Sequence, residues 1–546
     1  MATTRIMTRR PDRPRTPAAI RTDADRVSQF LEDAAHVSGG HAAGVASPDS
    51  LEQLADLVSQ GAPVLVVGAR SSLTGGATPR GELVIDTSRL ASIDVARHDR
   101  VTVGAGVTLD VLQDALRSRG AFYPPVPTFA GASAGGVVAT NAAGPTTFKY
   151  GSTRDWLIGL TVVLPSGDVL EVERGHVVAD ADGVFEIVES TRTYRVPVPT
   201  YRMPSVPKCS AGYFAAPGMD LVDLFIGSEG TLGIVACVTF RTIPLVPASC
   251  VFFVTTTSEA QGLALVGALR RASIETRAGD DSTGIDVSAI EHMDRRCLDL
   301  LIEDGADRRH DVALPTDAAL ALLIQLDLPH EMSSVEAYAQ IASSLDSGAA
   351  MTPLTRACRI VAEHGLLDRM EVALPDERAR RERFFALREA VPAGVNQRVA
   401  RAKQTADARI EKIAADMIVP FPALASMMTA YREAFARHGL DSAVWGHISD
   451  GNVHPNVIPR SYADVEAGKA AIRELGRHVT SLGGSPLAEH GVGRNLVKQA
   501  LLRDLYGDAG VDQMRCVKAA FDPQGLLARD VIFPWRDASD AASPGR

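Results

Sequence analysis

The chain has no uninterrupted apolar run approaching the roughly 20 residues that a membrane-spanning helix needs, so any membrane attachment is peripheral. It has no Cys-x-x-Cys pair, because its cysteines (209, 237, 250, 297, 358 and 516) are scattered. That spacing argues against iron–sulfur and structural zinc sites and suits free thiols in a reducing, cytoplasmic compartment. There is no surplus of Lys and Arg: 56 basic against 66 acidic residues leave a net charge of −10. With no basic patch interleaved with aromatics, a nucleic-acid partner is not expected. The first 22 residues carry six arginines but lack an apolar h-region, which argues against a secretory signal. A disordered Ala/Arg-rich tail is preferred there over a transit-like peptide.

What is present suits a large enzyme. At 546 residues the chain is too long for one simple core, and two or three domains are expected. Hydrophobic residues at 46% and charged residues at 22% are ordinary for a globular protein. Residues 63–67 read as a buried strand that runs into the loop Gly68 to Gly76. Further strands are expected at 83–86 and 101–103, then a helix with Leu109, Leu112 and Leu116 on one face, and a strand at 160–164. Strands alternating with helices imply an α/β core at this end of the chain. Prolines near 197–207 suggest that residues 175–205 form an irregular insertion.

Four Gly-rich clusters fall within this half. They are Gly68-Ala-Arg-Ser71-Ser72-Leu73-Thr74-Gly75-Gly76, then Gly131-Ala-Ser133-Ala-Gly135-Gly136 with Asn141 and Gly144, then Lys208 to Tyr213, then Gly227-Ser-Glu229-Gly230-Thr-Leu-Gly233. Lys149-Tyr150-Gly151 lies between the second and third. Such loops suit a phosphate-rich cofactor, because backbone N–H groups can approach phosphate oxygens with no Cβ in the way. The Rossmann fingerprint fails, since Arg70 stands where the pyrophosphate must approach and Leu109 occupies the third position after Gly104-x-Gly106. A P-loop is absent, since no Gly-Lys-Ser/Thr occurs.

Chemistry is concentrated further on, in His447-Ile-Ser449-Asp450-Gly451-Asn452-Val-His454 and in Glu489-His490-Gly491. If Asp450-Gly451 is a two-residue type I′ turn, His447 pairs directly with His454. Cβ atoms paired in that way lie about 4.5–5.5 Å apart, close enough for both rings to converge on one cation. His447, His454 and Glu489 make a ligand set for zinc or manganese, and such an ion would polarise a substrate hydroxyl. His490, with an ordinary pKa near 6.5, is the natural general base. Glu489 and His490 would point to opposite sides of a strand, so the backbone there must be irregular, which Gly491 and Gly493 permit.

These loops together resemble the FAD-binding domain of the vanillyl-alcohol oxidase type. The histidine motifs resemble the FAD-linked oxidase C-terminal domain of the D-lactate dehydrogenase, glycolate oxidase large subunit and D-2-hydroxyglutarate dehydrogenase group. The resemblance covers roughly residues 46–540. It implies an α+β protein: an N-terminal extension, partly disordered, over 1–45; a two-lobed FAD-binding domain over 46–247; an α/β cap over 248–485; a segment over 486–540 that returns to the flavin domain; and a tail over 541–546. It also implies an FAD-dependent dehydrogenase that oxidises a 2-hydroxy acid, D-configured and lactate-like, to the 2-oxo acid. The alternatives are a non-oxidative transferase resembling alkylglycerone-phosphate synthase, and a flavin-binding electron carrier.

The cofactor contacts expected are Gly68, Ser71, Ser72, Leu73, Thr74, Gly75, Gly131, Ser133, Gly135, Gly136, Asn141, Gly144, Tyr150, Gly151, Glu229, Gly230 and Gly233. Residues 68–76 contain no histidine, the residue through which some relatives attach FAD, so non-covalent FAD is expected. Arg388 matches an arginine that the family uses for the substrate carboxylate, which wants a bidentate guanidinium. Asn456 matches another substrate-side position. The electron acceptor is left open among a cytochrome, a quinone and an electron-transfer flavoprotein, and a homodimer is compatible. Two departures bear on the identity of the acid: Ser449 stands where the family usually has Gly, and Ala414 stands where several relatives place a lysine, with Lys412 two residues away.

Overall fold

A computed structural model describes residues 2–244, 248–329 and 331–535. The 541–546 tail lies outside them. The chain divides into two units: residues 1–144, 151–244 and 485–546 form the first, and residues 145–150 and 245–484 the second.

The first unit holds two main sheets. One has four strands in the order Ile20–Arg21, Gly44–Ala46, Leu83–Asp86, Val64–Val67, the last three mutually parallel. Leu83–Asp86 is buried along its whole length, as expected of a strand flanked on both sides in a parallel sheet. The helix Leu51–Ser59 starts where the Ser50 hydroxyl accepts a bond from the Gln53 amide, and it buries Leu54, Leu57 and Val58. The other sheet is antiparallel, in the order Val169–Glu173, Leu157–Val163, Ile234–Arg241, Arg100–Gly104, Ile93–Asp94. The helix Leu109–Arg117 buries Leu109, Leu112 and Leu116, as their spacing predicts.

Residues 175–205 depart from the irregular insertion expected of them. Val184–Val188 and Thr193–Pro197 form an antiparallel hairpin, and Arg5–Met7 pairs in parallel with its first strand. Phe185, Ile187 and Val196 are buried in a period-two pattern that the prolines downstream obscured. The segment over 1–45 also contributes the strand Ile20–Arg21 and the short helix Ala24–Ser28. Beyond residue 485, the helical segment Leu496–Phe521, broken at Gly507 (φ +70°), leads to a return strand-like contact: the Val64 amide donates to Leu526 O (2.8 Å) and the Ala528 amide to Val64 O (2.9 Å).

The second unit is built on an antiparallel sheet in the order Met370–Ala373, Ala248–Thr256, Leu320–Leu328, Val287–Asp294, Ser442–His447, Asn452–Val457, Ile413–Ala414, with Met417–Ile418 also pairing with Asn452–Val457. Leu320–Leu328 is a nearly continuous buried apolar run. Its helices include Glu259–Gly279, Arg378–Thr405, Leu424–Arg437 and Tyr462–Ser481. No helix among the described residues is long and apolar enough to cross a membrane. All six cysteines are free.

Candidate functional site

In the first unit, the Gly-rich loops enclose a cavity of about 300 Å³. Of the cofactor residues expected from sequence, Gly68, Ser71, Ser72, Leu73, Ser133, Gly135, Gly136, Glu229, Gly230 and Gly233 line it. Thr74, Gly75, Gly131, Asn141, Gly144 and Gly151 do not line it, and Tyr150 belongs to the second unit, where its hydroxyl donates to Asp327 (3.0 Å). The Asn141 side chain is part of the framework, accepting from the Arg154 amide (3.1 Å).

The first and second loops meet closely. A Cβ on Gly68 would lie 2.1 Å from Ser133 Oγ, so no larger residue fits without moving that side chain. Ser133 caps the helix Ala134–Ala139 by accepting from the Gly136 amide (3.3 Å). Backbone amides together with the Ser71 and Ser72 hydroxyls give the wall the donor chemistry that a phosphate-bearing cofactor requires. FAD fits this wall.

Glu489 and His490 line the same cavity. They lie outside any regular strand, with Gly491 at φ +72° and Gly493 at φ +59°, so adjacent side chains reach one space. Glu229 fixes this turn: its carboxylate accepts from the Val492 amide (2.8 Å) and the Gly493 amide (2.9 Å). Burial pushes the Glu229 carboxyl up to about 7, against the pull of those two amides. Glu489 is buried, and its Oε2 accepts from Lys208 Nζ at 2.8 Å, while Oε1 lies 3.6 Å from His490 Nε2. The sequence offered Lys208 only as the start of a loop motif, with no role attached.

In the second unit, the histidine hairpin differs from the two-residue turn expected. Ile448–Asp450 form one 3-10 turn, Gly451 takes φ +87°, and the register pairs Trp445, not His447, with His454. Tertiary contacts set this geometry. A Cβ at Gly451 would sit 2.4 Å from Val419 O, and Ser449 Oγ accepts from the Ile290 amide (3.2 Å) while Ser449 O accepts from Arg270 Nε (2.8 Å). Ser449 therefore ties the turn to the neighbouring strand. The two imidazoles still converge, with ring centroids 5.4 Å apart and planes at 88°.

His447 pairs across to the strand Val287–Asp294, where its Nδ1 meets Glu291 Oε1 in a short contact. Glu291 Oε2 accepts from Arg388 Nε at 2.7 Å, and a terminal nitrogen of Arg388 donates to Glu389 (2.9 Å). All three of Glu291, His447 and Arg388 are buried. Burial alone would raise the Glu291 carboxyl, but the charges and hydrogen bonds of His447 and Arg388 outweigh it and hold that carboxyl far below the usual range. Sequence reasoning missed Glu291; the only signal was a carboxylate in the interior of a strand, Val287–Asp294, that is buried over nearly its whole length.

On the other side of the hairpin, Asn452 Nδ2 donates to Asp416 Oδ1 (2.9 Å), and His454 Nδ1 lies 3.5 Å from that same oxygen. Carboxylates that hold the second nitrogen of an imidazole fix its tautomer and raise its basicity as a metal ligand. Asn456 donates to His454 O (2.9 Å), and its buried Oδ1 has no protein partner. Ala414 sits opposite Asn456 on the adjoining strand, and Lys412 is exposed.

Comparison with known proteins agrees with this layout. A model of the FAD binding domain matches residues 42–173, and one of the C-terminal domain of FAD linked oxidases matches residues 263–532. The glycolate oxidase subunit GlcD of Bacillus subtilis (strain 168) is 30% identical over 86% of this chain and 84% of its own. A D-2-hydroxyglutarate dehydrogenase of Xanthomonas citri pv. viticola is 30% identical over 90% of each chain. Among solved structures, an alkyldihydroxyacetonephosphate synthase superimposes with a TM-score of 0.59 at 15% identity, over 95% of this chain and 82% of its own, a likeness of fold alone. The Gly-lined cavity, the two matched domains and the relatives together place this chain among the FAD-linked oxidases, oxidoreductases built on an FAD-binding domain and a dedicated C-terminal domain.

Proposed function

We propose that the protein is an FAD-dependent dehydrogenase that oxidises a D-configured, lactate-like 2-hydroxy acid to the 2-oxo acid. The observation that carries this reading is Glu489-His490 on the wall of the Gly-lined cavity: an imidazole, one-third exposed, beside a buried carboxylate, where a flavin would lie. The curated relatives add support, since their names are those of a glycolate oxidase subunit and a 2-hydroxyglutarate dehydrogenase.

FAD, held without a covalent bond, supplies the hydride acceptor, and a zinc or manganese ion supplies polarisation of the hydroxyl oxygen. The protein's part is proton handling and orientation. His490 takes the hydroxyl proton at its ring nitrogen, the general-base role open to a neutral imidazole. Arg388 receives the substrate carboxylate, its guanidinium oriented by Glu291, and Asn456 offers its buried Oδ1 on the substrate side. His447, His454 and Glu489 are assigned to the metal. Glu291 and Asp416 would then act behind the histidines. The electron acceptor would be a cytochrome, a quinone or an electron-transfer flavoprotein.

The test is anaerobic mixing of the holoenzyme with a panel of D- and L-2-hydroxy acids, following flavin absorbance, with metal analysis alongside. Bleaching by D-acids and not by their enantiomers is the expected result. Absence of bleaching with every acid in the panel would refute the reading.

A further inference from the structure

One charged side chain in the cavity wall has no role in the reading above. Arg70 is the one Lys or Arg lining the cavity among the described residues. It occupies φ +55°, a conformation in which any side chain carries a steric cost that glycine would avoid. Its carbonyl accepts from the Ala34 amide (3.1 Å), which helps hold the backbone in this conformation.

The guanidinium rests on Phe30, with its carbon 4.7 Å from the ring centroid. Phe30 is itself buried and also carries Arg26, at 4.5 Å. The two arginines differ in one respect. Arg26 is matched by Asp86 (3.1 Å), whereas no ion pair or side-chain hydrogen bond joins Arg70 to any described residue. The two carboxylates of the cavity do not answer it either: Glu229 is bonded to backbone amides and Glu489 to Lys208. Arg70 is thus a cation propped on an aromatic platform, kept in an unfavourable backbone conformation, and lining the same cavity as the Ser71 and Ser72 hydroxyls.

The geometry points to Arg70 as the cationic partner of the FAD pyrophosphate, presented to the cavity by the Phe30 ring. This rests on FAD binding but not on the identity of the substrate. A guanidinium matches a phosphate's oxygens with two parallel donors, and a flavin without phosphate gives it nothing to hold.

The test titrates the flavin-free full chain with FAD and, separately, with riboflavin, following flavin fluorescence. Arg70→Gln should weaken FAD about 10–100-fold, the range expected for loss of a charge-assisted hydrogen bond. It should leave riboflavin affinity unchanged and flatten the salt dependence of FAD binding. Arg70→Gly separates binding from folding, because glycine relieves the positive φ. It should keep or raise the thermal stability of the flavin-free protein and still lose FAD affinity. Equal weakening of FAD and riboflavin, or unchanged FAD affinity in both variants, would overturn the assignment. Failure of the wild-type chain to bind FAD would instead refute the flavoprotein reading itself, whereas absence of bleaching by hydroxy acids in an FAD-loaded wild type would refute the substrate reading and leave the Arg70 assignment standing.

Discussion

The carboxylate of Glu291 joins two donors, His447 and Arg388, inside the second unit, and Glu291→Gln tests what that junction is worth. One oxygen faces His447 Nδ1 and the other accepts from Arg388 Nε. Glutamine keeps the shape but presents one acceptor and one amide donor to two donors, so at least one contact becomes donor against donor. Two charge-assisted bonds at about 1.5–3 kcal/mol each set the scale, and breaking one partner of a buried ion pair commonly costs about 3–5 kcal/mol. For a unit of this size that is a fall in Tm of roughly 6–20 °C. Trp445, two residues before His447, is the only tryptophan of the second unit, so its fluorescence in a Trp156→Phe/Trp535→Phe background reports this unit's melting directly. In an Arg388→Met background the same substitution should cost markedly less, because one of the two donors is already gone. A transition that moves by less than 2 °C in the single variant, or an equal loss in both backgrounds, would show that Glu291 does not hold this corner together.

Burial pulls His292 down to about 4, against an ordinary value near 6.5, so between those pH values the unfolded chain binds more protons and stability rises with pH. Its contribution is complete above about pH 6.5 and falls by about 3 kcal/mol as pH drops through 4; the urea midpoint of wild type should therefore fall relative to that of His292→Leu between pH 8 and pH 4, and a pH-independent difference would contradict this. Lys208→Met leaves the Glu489 carboxylate without its buried ammonium partner and should destabilise the first unit by about 3–5 kcal/mol; Lys208→Met/Glu489→Gln should recover most of that, and a loss below 1 kcal/mol in the single variant would show that the pair is dispensable.

The parts of the fold that were legible in the sequence are those decided locally. Leu109, Leu112 and Leu116 announce a helix face by spacing alone, and they are buried as that spacing requires. The glycines of the first and second loops announce close approach, and Gly68 meets Ser133. The His447–His454 register was not legible, because Asp450-Gly451 has the composition of a tight turn while the turn is set by Val419, Ile290 and Arg270, all distant in sequence. Glu291 and Lys208 were missed for the same reason. A buried carboxylate or ammonium acquires meaning from its partners, and theirs lie 97 and 281 residues away. The hairpin over 184–197 is a different case: its apolar alternation is local, but the prolines near 197–207 read as breakers of regular structure.

The amides and carbonyls that close Val64 to Leu526 and Ala528 impose an order on synthesis. Val64–Val67 pairs on one side with Leu83–Asp86, made soon after it, but its other side waits until the entire second unit has left the ribosome. During that interval an apolar strand stands with an open edge, the condition under which nascent chains pair wrongly with one another. The second unit is almost contiguous in sequence and can fold in the meantime. Overexpression should therefore fail first through aggregation of chains stalled before residue 526, and chaperone demand should track translation time across 245–484 rather than the stability of the finished protein.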